Sequence, residues 1–300
     1  MSYHDPVLLS ETVAGLDIKP DGIYVDVTFG GGGHSRYLLG QLGPKGRLIA
    51  FDQDQDALNN RIDDPRFLLI HQNFRFLKRF LKFHGVTQVD GIMGDFGVSS
   101  HQFDEGERGF STRFDGILDM RMNQEQALTA AQILNEYSVE QLTYLFREYG
   151  ELRNGAKLSR VIDAARRQKE LQTTEDLKNI VRPLTPRNKE HKIMAQIFQA
   201  IRLEVNQELA VLKEFLQQTE EVIKPSGRLS LISYHSLEDR LVKRYIRHGL
   251  FDGVPEKDVF GRFYTPFKPT GKLIVPSDQE IERNNRARSA KLRIAERNKD

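Results

Sequence analysis

Four short apolar segments, each following a turn, place the strongest constraint on how this chain can fold. They cover residues 23–27, 47–51, 67–71 and 89–95, and residues 74–84 between the last two have the pattern of a basic amphipathic helix. Strands separated by helix-length stretches are typical of βαβ units, which build a parallel sheet. We therefore predict an α/β domain with its first strands at these places.

The alternation stops after Asp95. The next buried strand is predicted at residues 228–234, so 132 residues (96–227) intervene where a simple crossover unit needs only about 30. Helical periodicity covers much of this surplus, at residues 138–149, 152–168, 174–181 and 193–205. We predict an all-helical domain, residues 107–205, inserted into an α/β domain of residues 1–106 and 206–300. Residues 273–275 and 290–295 are candidates for two more strands.

Composition excludes several classes of function. The chain has no Cys, which excludes disulfide scaffolds, thiolate zinc sites and cysteine nucleophiles. The N-terminus lacks the pattern of a secretory signal, and no apolar run reaches the roughly 18 residues of a membrane helix, so we expect a cytoplasmic protein without membrane contact.

Basic residues concentrate in two stretches, although the net charge is only +2. Residues 147–192 contain 12 Lys/Arg against 7 Asp/Glu, and residues 283–299 contain 7 Lys/Arg against a single Glu. Either stretch alone is equally consistent with a solvated helix face. Two such stretches favour a polyanionic partner.

The strongest local signal is the run Thr-Phe-Gly-Gly-Gly-Gly-His-Ser at residues 28–35, between the first predicted strand and a short helix. Glycines let a backbone approach a ligand closely, and a helix start offers free N–H groups. Asp52 follows Gly33 by 19 residues, at the end of the second strand, where an acid can accept hydrogen bonds from ribose hydroxyls. Together these features predict a nucleoside-containing cofactor, with a flexible glycine turn as the alternative. The dinucleotide pattern G-x-G-x-x-G fails at Ser35, and the loop is closer to that of class I methyltransferases.

Three other motifs are weaker. Asp52, Asp54 and Asp56 begin like a calcium loop, but Ala57 occupies the position where that loop turns on Gly. Residues 95–97 spell the kinase Asp-Phe-Gly motif without the His-Arg-Asp that a kinase requires upstream. The eight histidines form no H-E-x-x-H motif, so we expect no metal site.

Six segments together closely resemble the RsmH (MraW) family of bacterial methyltransferases, at residues 28–35, 95–100, 108–111, 118–122, 235–240 and 286–289. The resemblance covers nearly the whole chain. It implies a Rossmann-like class I methyltransferase sheet with an inserted helical domain, and S-adenosylmethionine as the cofactor. It also implies a substrate, N4 of a cytidine in the decoding centre of 16S rRNA, within the small ribosomal subunit.

The resemblance also implies individual contacts to the cofactor. These are Gly32, Gly33 and His34 in the loop, Asp52 on the ribose, Phe74 beside the adenine, and Asp95 and Gln102 around the methionine end. From the residues alone, Phe74 is equally consistent with core packing, and His34 with capping the turn.

The residues that handle the target amine are less defined, because the segment after strand four lacks the Asn/Asp-Pro-Pro-aromatic motif of other amino methyltransferases. Asp119 and His235 are our candidate catalytic residues, with a structural role as the alternative for each. Ser236 and Asp239 are predicted to cap the next helix. Arg286 and Arg288 are predicted to bind RNA phosphates. A nicotinamide-dependent dehydrogenase and a non-enzymatic rRNA-binding assembly factor remain as alternative functions.

Overall fold

A computed structural model describes residues 6–98 and 106–299. The chain divides into two units by its internal contacts. We call Met1–Gly97 with Leu209–Asp300 the sheet unit, and Val98–Glu208 the helical unit. The helical unit therefore begins before the predicted residue 107 and ends after the predicted residue 205.

The sheet unit is built on a seven-stranded sheet with the strand order β3-β2-β1-β4-β5-β7-β6. Its strands are β1 (Ile23–Asp26), β2 (Arg47–Asp52), β3 (Phe67–His71), β4 (Val89–Asp95), β5 (Ile223–Ser233), β6 (Phe267–Pro269) and β7 (Lys291–Arg297). The first five strands pair in parallel, and β7 pairs antiparallel with both β5 and β6. This order reverses direction at β1 and β4, which is the topology of doubly wound α/β folds. The predicted α/β fold class is confirmed.

One sequence prediction for this sheet is wrong, and one strand was not predicted. Residues 273–275 do not form a strand, because only Ile274 pairs, through an isolated bridge to Leu292. β6 was not predicted, since its three residues include Lys268 and Pro269 and carry no apolar pattern. A glycine before the 273–275 run and a proline after it leave little room for a longer ladder.

The described residues form eleven α-helices. In chain order they are α1 (Leu9–Ala14), α2 (Gly33–Leu39), α3 (Leu77–Phe83), α4 (Ala130–Glu136), α5 (Val139–Glu148), α6 (Gly155–Arg166), α7 (Thr174–Val181), α8 (Glu190–Val205), α9 (Glu208–Val222), α10 (Ser236–His248) and α11 (Asp278–Arg283). None of them combines the length and apolarity that a membrane crossing requires.

The sheet is buried on both faces, as parallel sheets are. Alternate side chains along β2 enter different clusters: Ile49 and Phe51 pack in one core, Leu48 and Ala50 in the other. This two-residue period follows from strand geometry.

The helical unit has its own core, formed by apolar side chains of α4 to α8 and of the segments between and before them. Three of its helices begin with a capping box, in which the Thr or Ser before the helix and a polar residue three positions later satisfy each other's backbone N–H. These pairs are Thr129 with Gln132, Ser138 with Gln141, and Thr173 with Asp176.

A candidate cofactor site at the carboxyl edge of the sheet

Three adjacent strands each end in an aspartate. Asp26 ends β1, Asp52 ends β2 and Asp95 ends β4, and β1 lies between the other two strands. The carboxyl ends of parallel strands form the edge at which open α/β sheets bind ligands. Asp26 was not identified from the sequence, although its place directly before the glycine loop was a usable signal.

Burial dominates the electrostatics of this edge. It raises the pKa of Asp26 and of Asp52 to about 6, and the pKa of Asp95 to about 7. The charge of Asp26 raises the other two values further. Because these three carboxyl groups lie close to one another, it is unfavourable for all of them to be ionised at once. A positively charged ligand would offset that repulsion, so the site favours one.

The glycine loop is tied to the end of β2 through Asp52. The Gly30 N–H donates to Oδ2 of Asp52 at 2.7 Å, and the Asp54 N–H donates to Oδ1 at 2.9 Å. The side-chain amide of Asn60 donates to the Gly30 carbonyl at 3.0 Å. Asp52 therefore fixes the loop and still has lone pairs for a ligand, since each carboxylate oxygen can accept two hydrogen bonds.

His34 lies at the start of α2 with its ring buried. Its Nε2 is 3.0 Å from the Val7 carbonyl oxygen, which can only accept, so Nε2 carries the proton. Burial lowers the pKa of His34 to about 4, and the ring is neutral at pH 7. Gly33 is required by the same packing, because a Cβ there would lie 2.2 Å from the Pro6 ring. The ring of His34 thus joins α2 to the segment before α1.

Phe74 begins a 3₁₀ turn after β3, and Asn73 caps that turn. Its ring centroid lies 5.9 Å from that of Phe96 and 5.3 Å from that of Phe215. Phe74 packs against the core while remaining partly exposed, so core packing and contact with a purine are compatible. Gln102, the remaining predicted cofactor contact, lies outside the described residues.

Asp95 supplies the clearest sign that this edge is suited to bind a ligand. Its Oδ1 is buried and accepts no hydrogen bond from the described residues. A buried acceptor without a donor costs about 1–3 kcal/mol. S-adenosylmethionine carries two kinds of hydrogen-bond donor that carboxylates can accept from, an ammonium group and ribose hydroxyls. The residues present therefore fit this cofactor.

The two candidate catalytic residues both take part in local hydrogen bonds. Asp119 accepts from the backbone N–H of Arg121 at 2.9 Å and from its guanidinium at 2.7–3.1 Å. His235 is the N-cap of α10, where its Nδ1 accepts from the Glu238 N–H and its Nε2 lies 3.1 Å from Glu238 Oε1. Asp119 lies in the helical unit and His235 in the sheet unit. Their catalytic role remains a prediction.

The predicted cap formed by Ser236 and Asp239 is wrong. His235 and Glu238 form the capping box of α10, one residue earlier in the chain. Asp239 instead accepts from the Arg293 guanidinium at 2.7 and 3.2 Å. The sequence rule favours Ser at the cap, but His235 has the extended backbone that an N-cap needs and a ring nitrogen that accepts.

The two predicted RNA contacts lie in a 3₁₀ helix, Asn285–Ser289, just before β7. Arg288 is exposed and Arg286 is partly buried. Arg293 belongs to the same basic stretch, but its guanidinium is already paired with Asp239.

Comparison with known proteins gives a consistent result. The sequence profile of the MraW methylase family matches residues 1–298. The chain is 65% identical to Ribosomal RNA small subunit methyltransferase H of Christiangramia forsetii, over 98% of each protein. It is 62% identical to the protein of the same name from Flavobacterium johnsoniae, over 99% of this chain and 98% of the relative. For the Bacteroides thetaiotaomicron protein the identity is 54%, with 99% and 98% covered.

Among solved structures, an rRNA methylase from Streptococcus thermophilus matches 96% of this chain and 93% of its own, with 12% identity and a TM-score of 0.41. That likeness is too weak to add to the assignment. The sequence relatives decide it, and they leave no support for a dehydrogenase or for a non-enzymatic assembly factor. At this identity and coverage, the chain belongs to the MraW methylase family of S-adenosylmethionine-dependent methyltransferases.

Proposed function

We propose that this protein methylates N4 of a cytidine in the decoding centre of 16S rRNA, within the small ribosomal subunit in the cytoplasm. The relatives at 54–65% identity are named as small-subunit rRNA methyltransferases. The structural observation that supports the chemistry is the buried Asp95 Oδ1 without a donor, beside a glycine loop anchored on Asp52.

Each part of the cofactor has a counterpart among the residues of this edge. Asp52 would accept from the ribose hydroxyls, and Phe74 would contact the adenine. Asp95, with Gln102, would hold the methionine end, and the loop residues Gly32, Gly33 and His34 would contribute their backbone. When bound, S-adenosylmethionine supplies a methyl group activated on a positively charged sulfur.

The chain has two tasks at the target amine. It must hold the nitrogen in line with the methyl group, and it must accept the proton that leaves after transfer. Asp119 and His235 remain our candidates for these tasks. Asp119 would first have to exchange its hydrogen bond with Arg121 for one to the amine, whereas Nε2 of His235 is buried and makes no hydrogen bond to the described residues.

The helical unit is proposed as the part that recognises RNA. Within its basic stretch, Arg147, Arg153, Lys157 and Arg160 are all exposed. Such side chains bind phosphates and provide affinity without sequence information. The target amine is inaccessible in a paired base, so the cytidine must be unpaired or turned out of its helix.

The proposal is tested by following the methyl group. Small subunits from cells lacking this protein are incubated with it and with radiolabelled S-adenosylmethionine, and the modified nucleoside is located by mass mapping of the 16S rRNA. We expect the label on a single cytidine, as N4-methylcytidine. Transfer only to a protein or a small molecule, with none to rRNA in free or assembled form, would overturn the proposal.

A further inference from the structure

Residues 249–266 connect α10 to β6 in the sheet unit without forming a helix or a strand. Apolar side chains of this connection face solvent: Val254 is 82% exposed, Val259 94%, Phe260 80% and Tyr264 61%. Connections of this length without secondary structure are uncommon in compact domains and are usually functional. Exposed apolar side chains concentrated in one short segment are a sign of a binding surface.

The turn that carries Phe260 is held by the side chain of Asp258. Its Oδ1 accepts from the backbone N–H of Phe260 at 2.9 Å and from that of Arg262 at 2.8 Å. The Asp258 N–H donates to the Arg262 carbonyl at 2.7 Å, and Gly261 supplies the φ of +79° that the turn needs. The turn therefore presents Phe260 to solvent on an ordered backbone, which reduces the entropy lost when a ligand binds.

The ring of Phe260 is accompanied by a guanidinium group. The central carbon of the Arg262 guanidinium lies 6.0 Å from the centroid of the ring. Most of the ring is still exposed, so its surface is available to a ligand. Aromatic rings and guanidinium groups are the surfaces on which proteins stack the unpaired bases of RNA. The turn thus offers both surfaces at one place.

The charge around this turn identifies the kind of partner. Residues 240–272 contain 8 Lys/Arg against 3 Asp/Glu. Lys243 and Arg247 on α10, and Lys257 and Arg262 after it, are exposed. Such side chains attract phosphates, whereas the core of a protein interface contains few charged residues. Exposed aromatic groups among basic residues therefore favour single-stranded RNA over a protein partner.

We propose that the 252–264 segment is an RNA-binding surface on which Phe260, accompanied by Arg262, stacks against an unpaired base of the small-subunit rRNA. The inference rests on the proposed function and names a further contact for its substrate. Phe260 belongs to none of the strand ends that form the candidate cofactor site, so the contact serves RNA binding and not S-adenosylmethionine.

The first test removes the ring. For Phe260→Ala we expect binding to 16S rRNA, taken from cells lacking this protein, to weaken about tenfold, as expected for loss of one base–aromatic stacking contact. The slope of affinity against salt concentration should stay the same, because no phosphate contact is removed. Phe83→Ala is the matched control, since Phe83 is a 79% exposed aromatic residue of the same unit, and it should change neither quantity.

Two further variants separate stacking from a general apolar contact. Phe260→Trp keeps an aromatic face and should bind rRNA at least as tightly as the unmodified protein. Phe260→Leu keeps an apolar side chain without a π-face and should lose as much affinity as Phe260→Ala. Full rRNA affinity in the leucine variant would overturn the proposal, because a contact with protein or lipid tolerates leucine and stacking does not.

Cross-linking identifies the partner directly. With p-azidophenylalanine at position 260, irradiation in the presence of small subunits should join the protein to 16S rRNA. Cross-links only to a ribosomal protein or to a second copy of this chain would overturn the proposal. If the unmodified protein methylates these subunits while Phe260→Ala binds their rRNA with full affinity, the proposed function stands and only this inference fails.

Discussion

His34 illustrates how burial decides what a titratable side chain can do. Its ring is neutral at pH 7 and donates to the Val7 carbonyl, and its pKa is lowered to about 4. The unfolded chain, in which a histidine has a pKa near 6.5, takes up a proton that the folded chain refuses. The free energy of unfolding should therefore fall as the pH drops from 6.5 toward 4.

We predict that this residue removes about 2 kcal/mol of stability between pH 7 and pH 5. The measurement is chemical denaturation at both pH values, for the unmodified protein and for His34→Gln, which lacks the titrating group. The difference between the two pH dependences isolates His34 from the other ionisable residues. Equal pH dependence in both proteins would contradict the assignment.

Asp52 accepts two backbone hydrogen bonds, from Gly30 and Asp54, and is proposed to accept others from the ribose of the cofactor. We predict that Asp52→Ala weakens S-adenosylmethionine binding by about 1–3 kcal/mol, through loss of charge-assisted hydrogen bonds. Asp63→Ala is the control, since Asp63 is an exposed acid of the same unit. Calorimetric titration measures the affinity, and a melting curve establishes that each variant is folded. Unchanged affinity for folded Asp52→Ala would show that Asp52 does not hold the ribose.

At the scale of elements, the segment from Asp119 to Met122 in the helical unit depends on one buried side chain. Met120 has a φ of +58°, which is unfavourable for a residue with a side chain. Asn206 holds the segment: its Oδ1 accepts from the Met122 N–H at 2.8 Å, and its Nδ2 donates to the Met120 carbonyl at 2.8 Å. The strained backbone that carries Asp119 and Arg121 therefore persists because the end of α8 supports it.

Asn206→Ala should lower the free energy of unfolding by about 2–3 kcal/mol, because it removes the hydrogen bonds that the Asn206 side chain makes to the Met122 N–H and the Met120 carbonyl. Hydrogen exchange should accelerate at residues 119–122 before it does elsewhere in the helical unit. The exposed Asn188 provides the control, and Asn188→Ala should change neither quantity. Unaltered exchange at residues 119–122 would mean that other contacts hold this segment.

Local patterns were sufficient to predict most elements of the sheet. β3 and β4 have the predicted bounds, because each is a short segment rich in apolar residues that follows a turn or a helix. The run at residues 273–275 has the same appearance, yet it makes one bridge. Residues 273–275 lack a neighbouring strand that pairs along their whole length. A single sequence does not show which strands will be neighbours.

The parts of the candidate site that depend on spacing along the chain could be predicted from the sequence. The parts that depend on tertiary contacts could not. The glycine loop and Asp52 follow from a fixed distance along the chain. The hydrogen bond between His34 and the Val7 carbonyl, and the one from the Asp95 N–H to the Thr28 hydroxyl, join residues 27 and 67 positions apart. Such pairs depend on how the strands are ordered in the sheet, so only the folded chain reveals them.

At the scale of the whole molecule, binding of the proposed RNA substrate requires exposed positive charges that the fold does not need for its own stability. Binding to phosphates releases counterions, so affinity should fall linearly with the logarithm of salt concentration. Arg286 and Arg288 lie on a short turn with Arg288 exposed, whereas the nearby Arg293 is committed to Asp239. Arg288 is therefore a better candidate for a phosphate contact than Arg293.

Replacing both Arg286 and Arg288 by Ala should flatten the salt dependence of binding to small-subunit rRNA by about one to two in logarithmic slope, the amount expected for one or two lost phosphate contacts. Affinity for S-adenosylmethionine should stay the same, because neither residue belongs to the candidate cofactor site at the carboxyl edge of the sheet. Replacement of the exposed Lys45 and Lys82 removes the same charge elsewhere on the sheet unit and controls for net charge alone. Filter binding over a range of potassium chloride concentrations gives the slopes. If both double variants flatten the slope equally, net charge alone explains the effect, and the 283–299 stretch has no specific place in RNA binding.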